Sequence, residues 1–395
     1  MTENSDPGVY MTIYFDNAAT SWPKPEAMIN AVEYFNSNIG SNPGRSGHHL
    51  SVDAGRSLYE ARENAAEIFG ADDPLRIALT SNITHSLNIV LRGMLKSGDH
   101  VITSSMEHNS VMRPLRELER NGVDLSIVTC DSRGMLDPCE IEKSVKKNTK
   151  LIVLNHASNV TGTILPVEEA GKISSGYGIP FCVDAAQTAG CVEIDVNRMN
   201  IDILCFTGHK GLYGPMGTGG FYLKKGLEER IDNLMSGGTG SMSEFEEQPD
   251  FMPDKYESGT LNAIGFAGLA AGMKFVRDTG IDVIRKREDE LTGYFIKSLK
   301  DIRGIHLFGP ENIRDRTSVV SFNIEGVTPS ESAYIFDEEY GILSRPGLHC
   351  APSAHKTIGT FPEGTNRFSF GYFNTFGEID TAVGAIRKIL EKSKK

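Results

Sequence analysis

Short apolar runs alternate with segments of helical periodicity from about residue 50 to residue 225, and this alternation constrains the fold more than any other feature. Apolar residues recur at helical spacing within 50–69 and again within 87–95. Short apolar runs joined through helices are typical of a mostly parallel sheet with both faces covered. The sequence therefore predicts an α/β fold with helices flanking a central sheet, whose strands are 76–80, 100–104, 124–129, 150–155, 180–184 and 202–206.

The pattern changes after about residue 270. A long charged helix at 276–299 precedes two short strands at 305–309 and 318–324. Beyond them we expect a helix at 330–339, a loop at 344–367 and a closing helix at 377–392. This change of pattern predicts a smaller α+β domain made of residues 1–25 and 271–395, beside a large domain of residues 26–270.

Charge and cysteine usage exclude several classes of protein. The formal net charge is −12, which disfavours nucleic acid or an anionic membrane as a partner. None of the six cysteines forms a Cys-x-x-Cys pair, so neither a metal site nor a disulfide framework is predicted. A secretory signal would require basic residues near its start, and residues 1–11 contain none. We expect a cytoplasmic protein.

Polar residues follow each predicted strand of the large domain. In an open parallel sheet, ligands bind beyond the carboxyl ends of the strands, so these side chains are expected to converge. Thr84 begins the helix after the first strand, where free backbone N–H groups suit a phosphate. The converging residues are Thr84, His108, Asn159, Asp184, Gln187, Thr207, His209 and Lys210.

A lysine, a carboxylate and a phosphate seat at one edge suit pyridoxal 5′-phosphate (PLP). Lys210 lies in a glycine-rich turn after an apolar strand and would form the Schiff base with the ring aldehyde. Asp184 would pair with the pyridinium nitrogen. Taken singly, each residue has an ordinary reading, such as a solvated loop lysine or a helix cap. The ordered set favours the cofactor.

One cysteine differs from the other five. Cys350 lies in a loop rich in glycine and proline, SRPGLHCAPSAHK at 344–356. Arg345, His349 and His355 are near it in sequence and are candidates to stabilise a thiolate. A free loop thiol with no role is the alternative.

Seven segments together resemble the cysteine desulfurase branch of the class V aminotransferases: IYFDNAAT (13–20), EHNS (107–110), HASNVTG (156–162), VDAAQ (183–187), FTGHK (206–210), YESGT (256–260) and GLHCAP (347–352). The resemblance runs from residue 13 to about 376. It implies a PLP-dependent transferase fold of type I, a small domain built from both termini, and a homodimer with the active site at its interface.

The resemblance also assigns roles to residues of the cofactor site. Lys210 would bind the aldehyde and act in catalysis, and Asp184 would contact the ring nitrogen. His108 would stack on the ring and take part in catalysis. The remaining contacts would come from Asn159, from Gln187 to the ring hydroxyl, and from Thr84, Thr207 and His209 to the phosphate, with Thr260 reaching the partner subunit's phosphate.

The same resemblance implies the chemistry. Cys350 would take sulfur from L-cysteine as a persulfide, leaving L-alanine, and would pass the sulfur to an acceptor protein. Arg367 matches the arginine that grips the substrate carboxylate, and Asn159 and Arg45 are further substrate candidates. Leu348 departs from the Gly-His-His-Cys-Ala pattern usual in this branch. A selenocysteine lyase acting on L-selenocysteine, and a weakly active sulfur-carrier scaffold of the same fold, are the alternatives.

Overall fold

A computed structural model describes residues 12–44 and 47–394. Its strands are β1 (Ile13–Tyr14), β2 (Ile77–Thr80), β3 (His100–Ser104), β4 (Asp124–Val128), β5 (Thr149–Asn155), β6 (Phe181–Asp184), β7 (Ile203–Thr207), β8 (Gly219–Leu223), β9 (Ile305–Phe308), β10 (Val319–Ile324), β11 (Ile342–Leu343), β12 (Arg345–Gly347) and β13 (Thr365–Ser369). Its α-helices are α1 (Glu26–Tyr34), α2 (His49–Phe69), α3 (Ile83–Met94), α4 (Asn109–Arg120), α5 (Pro138–Lys143), α6 (Val167–Tyr177), α7 (Ala263–Thr279), α8 (Ile281–Lys300), α9 (Pro329–Tyr340), α10 (Pro352–Thr357) and α11 (Phe376–Ser393).

The central sheet has the strand order β2-β8-β7-β6-β5-β3-β4. All neighbouring pairs from β7 to β4 are parallel, and only β8 runs antiparallel to its two neighbours. The predicted α/β fold with a mostly parallel sheet is therefore confirmed. Strand β8 was not predicted, because its residues GGFYL begin with two glycines and show no clear period.

Both faces of this sheet are buried, which explains the continuous apolar runs. On β5, Leu151 and Val153 join the apolar cluster formed with α3 and α4. Ile152 and Leu154 alternate with them and join the opposite cluster, formed with α2, α6 and α7. A strand covered on both faces needs apolar residues at every position.

A second sheet has the order β12-β13-β10-β9 and is antiparallel throughout. Helices α8, α9 and α11 contribute to its apolar cluster, together with Phe322 and Phe368 from the sheet. Strand β1 pairs in parallel with β11, and both Ile13 and Phe15 lie in the same cluster. The two ends of the described chain thus share one core.

Two expectations for the C-terminal third are wrong in detail. The single helix expected at 276–299 is two helices, α7 and α8, separated by Gly280 at a φ of 90°. A φ in that region suits glycine and interrupts a helix. The expected loop at 344–367 contains β12, α10 and the start of β13, since Arg345–Gly347 pair with Thr365–Arg367. No helix in the described ranges is long and apolar enough to cross a membrane.

Candidate active site

A cleft of about 520 Å³ opens beyond the carboxyl ends of the central strands. Its volume is in the range of small-molecule sites. The ends align because Asn155 of β5 is in register with Asp184 of β6, which is in turn in register with Cys205 of β7. The cleft is lined by Ala18, Ala19, Asn82, Ile83, Thr84, His108, Asn159, Gln187, Thr207, His209, Lys210, Arg345, His349 and Arg367. The structure thus brings together most of the residues singled out from the sequence.

Lys210 lies in the turn that follows β7. The Ser21 hydroxyl donates to the Lys210 carbonyl (2.8 Å), and the Tyr213 N–H donates to the same oxygen (2.9 Å). Burial lowers the pKa of the Lys210 amine to about 8; Arg367 acts in the same direction, whereas Asp184 opposes it. A lysine held this way loses its proton more readily than one in water, which suits a nucleophile or a base.

Asp184 ends β6 and is buried. Its Oδ1 accepts a hydrogen bond from the Ala186 N–H (2.9 Å). Burial raises the pKa of this carboxyl, while the Ala186 N–H and the Lys210 cation favour its charged form. This carboxylate is electrostatically coupled to Lys210 and can balance a second cationic group.

Glu107 is a buried carboxyl that the sequence analysis passed over. It accepts hydrogen bonds from the Ser104 hydroxyl (2.6 Å) and from the Asn155 N–H (3.0 Å). Burial raises its pKa to about 8. These contacts tie the turn that carries His108 to strand β5. The signal in the sequence was an acidic residue three positions after an apolar strand.

His108 caps α4. Its Nδ1 accepts a hydrogen bond from the Ser110 N–H (3.0 Å), so the lone pair on that nitrogen is occupied. Burial lowers the pKa of the ring to about 4, and Lys210 and Arg345 add to the effect. The imidazole is therefore neutral at neutral pH, and a flat neutral ring can stack on a planar ligand.

Unsatisfied polar atoms mark one end of the cleft. Within the described chain, Thr207 Oγ1 and His209 Nδ1 are buried without a hydrogen-bond partner. Helix α3 begins beside them at Ile83, and the side-chain oxygen of its cap, Asn82, accepts from the His85 N–H. Buried polar groups normally have partners, and N–H groups at a helix start attract anions. This end of the cleft fits a phosphate group.

Arg367 lies on β13 at the other side of the cleft and is almost fully buried. Its Nη2 forms a salt bridge to Asp16 Oδ1 (2.6 Å), and its Nη1 donates to the Asn159 carbonyl (3.1 Å). Its Nε has no partner among the described residues. Asp16 was not singled out from the sequence, although it lies in the IYFDNAAT segment. The arginine is held firmly and keeps a donor for a ligand.

Cys350 lies beside the cleft on a strained turn. His349 and Cys350 have φ of 48° and 57°, a conformation that costs a non-glycine residue about 1–3 kcal/mol. Asn159 Nδ2 donates to the His349 carbonyl (2.7 Å), and the Asn109 N–H donates to the Cys350 carbonyl (2.8 Å). The exposed thiol is therefore carried by a turn that is bonded to residues of the cleft.

For three further residues proposed from the sequence, the structure supports less of the proposed role. Gln187 lines the cleft, and its Nε2 donates to the Ala18 carbonyl (3.1 Å). Thr260 is exposed and lines a separate pocket of about 270 Å³, so its proposed contact with a partner subunit stays a prediction. Arg45 lies outside the described residues.

The sequence profile described as Aminotransferase class-V matches residues 13–381. A probable cysteine desulfurase of Methanothermobacter thermautotrophicus is 37% identical over 374 residues, which cover 93% of this chain and 92% of that protein. A probable cysteine desulfurase of Pyrococcus abyssi is 36% identical over 390 residues, covering 96% and 94%.

Solved structures give the same likeness. An apo cysteine desulfurase from Thermococcus onnurineus superposes with a TM-score of 0.91 at 34% identity, covering 96% of this chain and 95% of that one. The cysteine desulfurase CsdA from Escherichia coli, in an S-sulfonic acid form, gives a TM-score of 0.86 at 30% identity, with the same two coverages. The predicted resemblance is confirmed over nearly the whole chain.

Proposed function

The chain belongs to the class V aminotransferase family, in its cysteine desulfurase branch, and from that membership together with the cleft we propose that it removes sulfur from L-cysteine. The products are L-alanine and a persulfide on Cys350. The family is PLP-dependent, and the proposal includes PLP as the cofactor. Bound PLP supplies an aldehyde that links to amines and a ring that accepts electrons from the substrate carbon.

The residues of the cleft fit this cofactor. The Lys210 amine would hold the aldehyde, and the Asp184 carboxylate would hold the ring nitrogen in its protonated form. His108 would cover one face of the ring. The partnerless Thr207 hydroxyl and His209 Nδ1 would bond the phosphate, together with the first N–H groups of α3 and the Thr84 side chain.

Arg367 and Asn159 would bind the substrate. The free Arg367 Nε–H and the unpartnered Asn159 Oδ1 are a donor and an acceptor on two residues that line the cleft. They suit the carboxylate and the ammonium group of an amino acid, respectively. Lys210, with its pKa of about 8, would take up the proton from the substrate Cα.

Cys350 would accept the sulfur. Its thiolate attacks the substrate sulfur, and the new S–S bond forms as the bond between that sulfur and Cβ breaks. The electron pair of the broken bond stays with the carbon chain, which gains a proton and leaves as alanine. Thiolate at Cys350 is required, because a thiol is a weak nucleophile.

One observation carries the proposal: a single cleft holds Lys210, with an amine of lowered pKa, and adjoins the turn bearing Cys350. The test is incubation of the PLP-loaded protein with L-cysteine, followed by assay of alanine and by mass spectrometry of peptides. Alanine and added sulfur on the Cys350 peptide are expected. Absence of alanine would refute the activity. L-Selenocysteine assayed in parallel measures how strictly sulfur is required, which neither Leu348 nor the cleft decides.

We also propose a homodimer, a cytoplasmic location, and transfer of the sulfur to an acceptor protein. The proposed domains are 26–270 for the cofactor and 1–25 with 271–395 for the smaller unit. The shared apolar cluster of β1, β10, β13 and the C-terminal helices supports this division, and the six free cysteines suit a reducing compartment. An active monomer in light scattering at assay concentration would contradict the dimer.

A further inference from the structure

We propose that Arg345 is the cation that holds Cys350 as a thiolate and keeps its sulfur at the cleft. The inference rests on the proposed function in one respect, because it takes Cys350 to be the sulfur acceptor. The sequence offered three candidates for this role, namely Arg345, His349 and His355. The structure separates them.

Arg345 contacts the sulfur directly. Its Nη2 lies 3.9 Å from Cys350 Sγ, within the distance at which an N–H donates to sulfur. The guanidinium also lines the cleft that contains Lys210. The sulfur and the proposed cofactor site therefore share this one cation.

The charge of Arg345 is also uncompensated. Arg345 on β12 is directly opposite Arg367 on β13. Asp16 pairs with Arg367 at 2.6 Å, whereas no carboxylate in the described chain forms an ion pair with Arg345. Two facing guanidinium groups with one carboxylate leave room for one more anion, and the Cys350 thiol that Arg345 contacts is able to become one.

Hydrogen bonds direct the His349 ring elsewhere. The Ser321 hydroxyl donates to the Val160 carbonyl (2.6 Å), so the Thr365 hydroxyl donates to Ser321 Oγ (2.9 Å). Thr365 Oγ1 can then only accept from His349 Nε2–H (3.1 Å). The proton of the neutral ring is thus fixed on Nε2 and bonded to Thr365, which leaves no ring N–H to donate to the sulfur. Burial also lowers the pKa of this ring well below its usual value.

His355 is unsuited for the same reason. It is fully buried, and its Nδ1 is hydrogen-bonded to Thr360 Oγ1 at 2.7 Å. Burial lowers the pKa of the ring to about 4, so it carries no charge at neutral pH. Arg345 is the one permanent cation among the three candidates.

Alkylation of Cys350 tests this inference without any turnover. The PLP-loaded protein, free of substrate, is treated with iodoacetamide, and the Cys350 peptide is followed by mass spectrometry at pH 7 and pH 10. Iodoacetamide reacts only with the thiolate. Cys350 of Arg345→Gln is therefore expected to be alkylated at least about threefold more slowly than in the wild type at pH 7. At pH 10, where any thiol is ionised, the two rates should agree within about twofold. Arg345→Lys should retain more of the rate than Arg345→Gln. Arg387→Gln, on an exposed arginine of α11, is the matched control and should react as wild type does.

Three results would overturn the inference. Wild-type alkylation at pH 7 in Arg345→Gln would refute the role of Arg345, and a raised KM for L-cysteine in the same variant would then assign Arg345 to substrate binding. An equal change of rate at both pH values would indicate altered access to the thiol. A loss at pH 7 alone in His349→Gln, as large as in Arg345→Gln, would transfer the role to the histidine. If alkylation of Cys350 is slowed in Arg345→Gln but the wild-type protein releases no alanine from L-cysteine, the proposed function is refuted. The role of Arg345 towards the Cys350 thiolate is then retained.

Discussion

The two turns that carry the reactive groups are built by different physical means. Lys210 follows a buried five-residue strand of the central sheet, and its carbonyl accepts hydrogen bonds from the nearby Tyr213 N–H and from the Ser21 hydroxyl, which is distant in sequence. Cys350 follows a strand of only three residues, and its turn contains two successive non-glycine residues with positive φ. That conformation is retained by bonds to Asn159 and Asn109, which are distant in sequence.

The difference concerns what each turn depends on. The Lys210 turn directly continues a strand buried in the central sheet, so the folded sheet helps to fix it. The Cys350 turn stores strain and depends on a few hydrogen bonds across the cleft. We expect substitutions near Lys210 to act on chemistry alone, and substitutions near Cys350 to act on position as well.

The largest effect is expected from Lys210→Ala. No other lysine among the described residues lines the cleft, so the covalent link to PLP should be lost and turnover should fall at least about 10³-fold. Absorbance of the bound cofactor and alanine release measure the two effects. Lys225→Ala, at an exposed position, is the control. A PLP link that sodium borohydride can still reduce in Lys210→Ala would contradict the role of this lysine.

Cys350→Ser removes the second reactive group alone. Turnover of L-cysteine should fall at least about 10²-fold, because a hydroxyl is a far weaker nucleophile than a thiolate, while PLP attachment stays intact. Cys139→Ser changes the other exposed cysteine and should leave both properties unchanged. Undiminished alanine release in Cys350→Ser would refute the persulfide step. Retained activity on L-selenocysteine alone would favour a lyase.

The sequence predicted the sheet well because both of its faces are buried, so each strand is a short apolar run. It missed β8 and β12, since glycines in one and proline in the other conceal the strand pattern, and it also missed β13 and the two-residue strands β1 and β11. It also merged α7 with α8, because Gly280 lies within an otherwise helical pattern.

The cleft was predictable for a related reason. Parallel strands place their carboxyl ends together, so polar residues after each strand had to converge. Contacts between the two sheets carried no such signal. The Arg367–Asp16 salt bridge joins residues 351 positions apart, and the bond from Asn159 to the His349 carbonyl spans 190. Neither periodicity nor local composition reports on pairs at that separation.

Asn159→Ala sharpens the comparison, because it removes the side chain that holds the Cys350 turn. Loss of one bond to a buried carbonyl weakens the strained conformation, so turnover should fall about tenfold and amide hydrogen exchange in 344–356 should become faster. Exchange around Lys210 should not change. Asn148→Ala, which removes an amide donor to the Gly98 carbonyl far from the cleft, is the control. Unaltered amide hydrogen exchange in 344–356 would show that the Cys350 turn keeps its conformation without the bond from Asn159.

The smallest effect concerns the pH at which Lys210 becomes reactive. Burial disfavours the charged amine and lowers its pKa to about 8, so in the PLP-free protein the neutral, nucleophilic form gains population as the pH rises through that value. The rate of acylation by a neutral reagent, followed on the Lys210 peptide, should rise with pH and level off above about 9. The acylation rate of Nα-acetyl-lysine, whose side-chain amine is free in water, should keep rising towards its pKa of about 10.4. The Asp184 carboxylate favours the cation, so in Asp184→Asn the profile should move to lower pH. A profile that moves to higher pH, or a wild-type profile that follows N-acetyl-lysine, would mean that burial does not set the reactivity of Lys210.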